Sequence, residues 1–179
     1  MKGKWQVLNK KTIFKNAHSN IQIWKVRTHQ GKEKDFTIQK GRDFAVILAV
    51  TNDDKLVVIR QHYLNENKKI YSLVAGYIDP GENKTTAARR ELLEEAGYSC
   101  KKIVYLGKSR KGKYATGYAH CFVGLGAFSS QKQELEDAED IEVVQMSKEK
   151  FIGLLKRNEF LDAFTEVCAW RALTYLKSV

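Results

Sequence analysis

Two apolar runs separated by five polar residues constrain the fold of this chain more than any other feature. The runs span 44–50 and 56–60, and both are nearly uninterrupted. A strand that is apolar at consecutive positions is typically buried on both faces. The polar segment 51–55, with sequence TNDDK, indicates a hairpin turn between them. The pair therefore predicts two central strands of a sheet that is covered on both sides.

The remaining segments supply further strands and three helices. Strands are predicted at 5–8, 21–26, 36–39, 103–106, 118–125 and 141–145. Helices are predicted from about Thr85 to Ala96, from Ser147 onward, and from near Asp162. The last helix should bury an apolar face made of Phe164, Val167, Cys168, Trp170, Leu173 and Leu176. We expect an α/β fold: a mixed β-sheet sandwiched between α-helices, with an N-terminal antiparallel β region.

Charge and cysteine content narrow the classes of function. The net charge of +10 favours anionic ligands such as nucleotides, nucleic acid or phosphorylated sugars, although the lysines are spread along the whole chain. The three cysteines, Cys100, Cys121 and Cys168, lack metal-ligand spacing and are interpreted as reduced thiols. No segment approaches the roughly 20 apolar residues of a membrane span, so a cytoplasmic location without membrane contact is expected.

Three glutamates on the first predicted helix carry the chemistry. Glu91, Glu94 and Glu95 share one helix face because they are three and four residues apart. Their mutual repulsion would be relieved by a divalent cation, and carboxylate oxygens suit Mg²⁺ or Mn²⁺. Arg90 lies four residues before Glu94 and can hold that carboxylate in place. The alternative is an acidic helix face that is exposed to solvent.

A longer motif surrounds this helix. Its fixed positions are Gly76, Glu82, Arg90, Glu91, Glu94, Glu95 and Gly97. This arrangement resembles the signature of the Nudix hydrolases, and the one departure is Tyr98, where the family usually has an aliphatic residue. The resemblance implies the Nudix fold, Mg²⁺ with Mn²⁺ as a possible substitute, and metal ligands at Glu91, Glu94, Glu95 and the main-chain carbonyl of Ala75. Catalytic roles are expected for Glu94, Arg90 and Glu82. Gly76 and Gly81 are expected to let the loop turn tightly.

Three further stretches, 57–63, 73–76 and 139–144, look like the branch that cleaves ADP-ribose and nucleotide sugars. That branch implies hydrolysis of a nucleoside diphosphate sugar, of ADP-ribose, ADP-hexose or GDP-hexose type, to a nucleoside monophosphate and a sugar phosphate. Arg60 and Gln61 would bind the nucleotide or its diphosphate. Glu139 best fits the position of the late-loop acidic residue that serves as catalytic base. Segment 113–117 lacks the proline of many ADP-ribose-cleaving members, which weakens ADP-ribose as the sole substrate.

The same branch implies a homodimer with exchanged N-terminal strands. We expect one domain over residues 1–179, in which 1–43 form the dimerisation region and 44–179 the catalytic core. Two alternatives stay open. One is hydrolysis of an RNA 5′ end or cap, although the diffuse charge makes a nucleic-acid partner unlikely. The other is a nucleotide-sensing module without catalysis.

Overall fold

A computed structural model describes residues 3–178 of the chain. Its elements, in chain order, are β1 (Gln6–Lys15), β2 (Asn20–Arg27), β3 (Glu33–Gln39), β4 (Phe44–Thr51), β5 (Leu56–Tyr63), β6 (Lys68–Ser72), β7 (Val74–Tyr77), α1 (Lys84–Ala96), β8 (Tyr98–Arg110), β9 (Tyr118–Ser129), β10 (Ile141–Met146), α2 (Lys148–Lys156) and α3 (Ala163–Lys177). None of these helices is long and apolar enough to cross a membrane.

The backbone contacts divide the chain into two compact units. The first contains residues 1–43 and 110–118, and the second contains 44–109 and 119–179. In the first unit, β1, β2 and β3 form an antiparallel sheet. Segment 110–118 joins this sheet through Gln39, whose main chain bonds to Tyr114 and Thr116 at 2.9 Å each. This segment therefore packs with the N-terminal strands rather than with the residues that flank it.

The second unit is built on a mixed sheet with strand order β10-β5-β4-β9-β8. Strand β6 pairs with β5 and β7 pairs with β4, both antiparallel, whereas β4 and β9 run parallel. The two strands expected from the apolar runs, β4 and β5, lie side by side in the middle of this sheet. The expected fold class, with its N-terminal antiparallel region, is confirmed.

Alternate residues of the central strands enter two separate cores, as the twofold periodicity of a strand requires. Val46, Leu48 and Val58 belong to the core on the side of α2 and α3. Ile47 and Ile59 belong to the core on the side of α1. Both faces of the sheet are therefore covered by helices.

The buried face of α3 differs from the sequence expectation. The helix buries Thr165, Cys168, Ala169, Ala172 and Leu173, which follow a regular helical spacing. The expected face was wrong at Val167 and Trp170, which are 37% and 41% exposed. Cys168, Ala169 and Ala172 are small and allow the helix to approach the sheet closely, whereas Val167 and Trp170 lie on its outer side.

Candidate active site

Helix α1 presents the carboxylates and is defined by caps at both ends. The side chain of Asn83 accepts a hydrogen bond from the Thr85 amide at 2.8 Å, which satisfies one of the free N–H groups of the first turn. Gly97 ends the helix in the left-handed conformation with φ of 70°, and its amide donates to the Leu93 carbonyl at 2.8 Å. Local hydrogen bonds thus define both ends of the helix that carries the carboxylates.

Gly76 lies directly beneath the Glu91 carboxyl group. A Cβ atom at position 76 would come within 2.0 Å of that group, so only glycine lets β7 and α1 approach this closely. The expectation of a tight turn at Gly76 was wrong, because the residue lies within strand β7 and has no left-handed φ. Gly81, with φ of 83°, does occupy such a turn.

Arg90 is the centre of the ion-pair network. Its guanidinium holds Glu82 through two bonds of 3.0 and 3.1 Å, and it donates to the Tyr77 carbonyl at 3.0 Å. One nitrogen, Nη1, donates to Glu91 at 2.8 Å and to Glu94 at 2.9 Å. These hydrogen bonds raise the pKa of Arg90 above its ordinary value, and the bond from Arg90 lowers the pKa of Glu82. The network holds three carboxylates, those of Glu82, Glu91 and Glu94, around the guanidinium of Arg90.

Glu95 is the most deeply buried of the three helix glutamates. Burial raises its pKa to about 8, partly opposed by the Ala75 amide, which donates to Glu95 Oε2 at 3.1 Å. Burial also raises the pKa of Glu91, against the effect of Arg90. Two carboxyl groups with raised pKa values beside one strand end are typical of a functional site.

Glu139 is the late-loop acidic residue that lies near these carboxylates. It is half-buried, whereas the other four acidic residues of the loop are exposed: Glu134, Glu136, Asp137 and Asp140. Its negative charge contributes to the raised pKa of both Glu91 and Glu95. A turn shapes this part of the loop, because the Glu136 amide donates to the Glu139 carboxylate at 2.9 Å. Glu139 therefore lies close enough to the helix glutamates for its charge to act on them, while its carboxylate bonds within its own loop.

The donor set is chemically suited to Mg²⁺ or Mn²⁺. Glu91 and Glu95 both reach the Ala75–Gly76 strand end, and carboxylate oxygens on a rigid helix are the ligands that these cations prefer. Among residues 3–178, however, no three acidic, histidine or cysteine side chains converge closely enough to hold a metal as they stand. Arg90 Nη1 occupies Glu91 and Glu94 instead. The residues fit a cation provided that this nitrogen releases a carboxylate.

Arg60 and Gln61 lie on opposite faces of the sheet. Arg60 pairs with Glu142 at 3.3 Å and lies over the Tyr71 ring, on the face of α2 and α3. Gln61 follows Ile59 on the α1 face, and its amide reaches the Tyr63 hydroxyl at 3.4 Å. Burial is the largest cause of the raised pKa of Tyr63, and the charge of Asp162 and, more weakly, that of Glu95 add to it. Gln61 therefore lies on the same face of the sheet as α1, whereas Arg60 lies on the opposite face.

The loop that carries Glu139 also covers the last turn of α1, a contact that the sequence did not predict. The Glu134 amide donates to the Glu94 carbonyl at 2.9 Å, and the Gln133 side chain donates to the Glu95 carbonyl at 2.5 Å. The Ser130 amide donates to the Gly97 carbonyl at 2.9 Å. The final carbonyls of a helix have no partner within it, and here the loop supplies partners.

Known proteins resemble this chain along most of its length. Residues 41–168 match the family model described as the NUDIX domain. An ADP-ribose pyrophosphatase of Bacillus subtilis (strain 168) is 27% identical over 162 residues, covering 89% of this chain and 88% of that protein. A methanol dehydrogenase activator of Bacillus methanolicus is 24% identical over 167 residues, covering 92% and 88%. A crystal structure of an ADP compounds hydrolase is similar with a TM-score of 0.85 at 21% identity, covering 99% of this chain and 97% of that chain.

Proposed function

The chain belongs to the Nudix family of hydrolases, and we propose that it cleaves the pyrophosphate bond of nucleoside diphosphate sugars with the help of Mg²⁺ or Mn²⁺. The products are a nucleoside monophosphate and a sugar phosphate. The observation that carries this proposal is the carboxylate cluster of Glu91, Glu94 and Glu95 beside the Ala75–Gly76 strand end. The similarity to an ADP-ribose pyrophosphatase supports the substrate class.

The residues of the cluster have distinct roles in this proposal. Glu91, Glu94, Glu95 and the Ala75 carbonyl would hold the cation, which would supply positive charge to neutralise the diphosphate and to favour ionisation of the attacking water. Arg90, itself held by Glu82, sets the orientation of Glu91 and Glu94. These contacts place carboxylate oxygens at one edge of α1.

The proton-accepting residue and the substrate contacts lie nearby. Glu139 accepts the proton of the attacking water in this proposal, which is supported by its partial burial and by the effect of its charge on Glu91 and Glu95. Gln61 supplies a neutral hydrogen-bonding contact to the substrate from the α1 face. A substrate contact from Arg60 stays a prediction, and it would require Arg60 to leave Glu142 and the opposite face of the sheet.

The proposal includes a cytoplasmic homodimer in which strands within residues 1–43 are exchanged. All three cysteines are free thiols, which suits a reducing compartment. Strand β1 is exposed at almost every position, including Val7, Ile13 and Phe14. Apolar strand residues with this much exposure are typical of an interface.

Glu94→Gln and Glu95→Gln test the assigned chemistry. We expect each substitution to lower turnover by at least about 100-fold, because removal of a charged ligand weakens cation binding, while circular dichroism stays native. The assay measures hydrolysis of ADP-ribose, ADP-glucose, GDP-mannose, UDP-glucose and capped RNA with Mg²⁺ or Mn²⁺, and identifies the products. Glu166→Gln, on α3, is the control. Near-native turnover in both glutamine variants would contradict the proposal.

A further inference from the structure

The loop between β9 and β10 connects the end of the carboxylate helix to Glu139. It leaves β9 at Ser129, bonds to the last turn of α1, and enters β10 at Ile141. Its distal part is anchored on β5, since the His62 amide donates to the Asp140 carbonyl at 3.2 Å. The loop conformation therefore determines how far Glu139 lies from Glu91 and Glu95.

Gln133 is the side chain that ties this loop on two sides. Its Nε2 donates to the Glu95 carbonyl at 2.5 Å and, more weakly, to the Ile141 carbonyl at 3.4 Å. Glu95 is the helix residue with the most deeply buried carboxylate. Ile141 is the first residue of β10 and follows Glu139 by two positions. The side-chain amide of Gln133 thus links the end of α1, which carries Glu95, to the start of β10, which follows Glu139.

We propose that Gln133 is a positioning residue, which sets the distance between the Glu139 carboxylate and the helix glutamates through these two bonds. This inference rests on the proposed function, because it assigns Gln133 to the same reaction. The side-chain amide of Gln133 donates to two main-chain carbonyls, so in this proposal it acts through Glu139 rather than on the substrate. Substitution of a residue that orients a reacting group without touching the substrate typically lowers activity by about 10- to 100-fold.

Gln133→Met keeps the length of the side chain and removes the donor. We expect kcat to fall by about tenfold, while KM changes by less than about twofold, because the substrate contacts stay in place. Gln131→Met is the matched control, since the side-chain amide of Gln131 donates to the exposed Glu134 carboxylate at 2.8 Å, and its main-chain bond to Gly97 is unaffected by the substitution. A Gln133→Met variant with the same kcat as the Gln131→Met control would overturn the proposal.

Two further measurements separate positioning from a general structural role. In a Glu139→Gln background, Gln133→Met should cause no additional loss of kcat, because both changes act on the same group. Amide hydrogen exchange should accelerate at Glu134, Glu136 and Glu139 in Gln133→Met, at an unchanged unfolding temperature. Additive losses of kcat, or unchanged exchange, would refute the proposed role. Failure of the proposed function would instead appear as native turnover in Glu94→Gln, and the exchange measurement does not depend on turnover.

Discussion

At the scale of single residues, the site depends on close contacts that a minor change would break. The Glu91 carboxyl group rests on the Cα of Gly76, and the Glu95 carboxylate accepts the Ala75 amide. Each contact joins a helix glutamate to the end of β7 in the buried part of the molecule. The positions of these oxygens are therefore determined by the packing of a strand against a helix, and not by the helix alone.

Gly76→Ala should inactivate the enzyme without unfolding it. The new Cβ would lie 2.0 Å from the Glu91 carboxyl group, so that side chain must move away from the strand end. A displacement of about 1 Å can cost about 100-fold in rate, and we expect at least that loss of kcat/KM. Gly153→Ala on α2 is the control, because its Cβ would meet only the flexible end of Arg157. Equal rates in the two variants would show that Glu91 needs no such contact.

Glu95 makes the metal-free protein less stable as the pH rises. Its pKa is about 8 in the folded protein and near 4.5 in the unfolded chain, so the folded state binds the proton more tightly. The free energy of unfolding should therefore fall between about pH 4.5 and pH 8. With a chelator present, Glu95→Gln should raise the unfolding temperature by several degrees near pH 8 and have little effect near pH 5. An equal effect at both pH values would contradict this assignment.

At the scale of elements, the free backbone groups at the two ends of α1 find their hydrogen-bond partners in different parts of the chain. Asn83 caps the first turn with its own side chain, whereas a separate loop caps the last turn at Glu94 and Glu95. The carboxyl end of the helix is consequently coupled to a segment about forty residues later in the sequence. The sequence predicted the end of α1 at Ala96 correctly, but it predicted neither the Asn83 cap nor the bonds from the distant loop.

Asn83→Ala should lower the free energy of unfolding by about 1 kcal/mol, because it leaves the Thr85 amide without its side-chain acceptor. Asn83→Asp is the control, since aspartate accepts the same bond and its charge suits the helix N-terminus. Urea unfolding monitored by fluorescence measures both variants. Identical midpoints for alanine and native protein would show that the cap is not stabilising.

The sequence predicted the elements that have local signals. The apolar runs identified β4 and β5, and Ser147 and Asp162 do cap α2 and α3. Strands β6 and β7 were not predicted, because they are only five and four residues long, β6 mixes polar with apolar residues, and β7 contains a glycine. Gln133 carries no pattern at all, since its role arises only where a loop meets a distant helix end.

At the scale of the whole molecule, the +10 charge and the exposed strand β1 are the features that the catalytic cluster does not explain. The three-stranded sheet of the first unit leaves Trp5, Ile13 and Phe14 more than half exposed. Exposed side chains of this kind lose contact with water when a second copy covers them, which favours association.

Phe14→Glu should convert the expected dimer into a monomer, because it places a charge within the surface that is to be buried. Light scattering after size exclusion should give twice the chain mass of 20.5 kDa for the native protein and a single chain mass for the variant. Lys15→Glu, on the same strand, controls for the change of charge. A monomeric native protein would contradict the expected assembly.

The guanidinium of Arg90 has a consequence for how this enzyme tolerates chelation. Its bonds to Glu82, Glu91 and Glu94 already balance negative charge on the helix, so an incoming divalent ion competes with a built-in cation. Proteins that need a metal ion to fold become unfolded when a chelator removes that ion. Here the arginine returns to its carboxylates, and EDTA should switch off turnover reversibly while the folded structure survives.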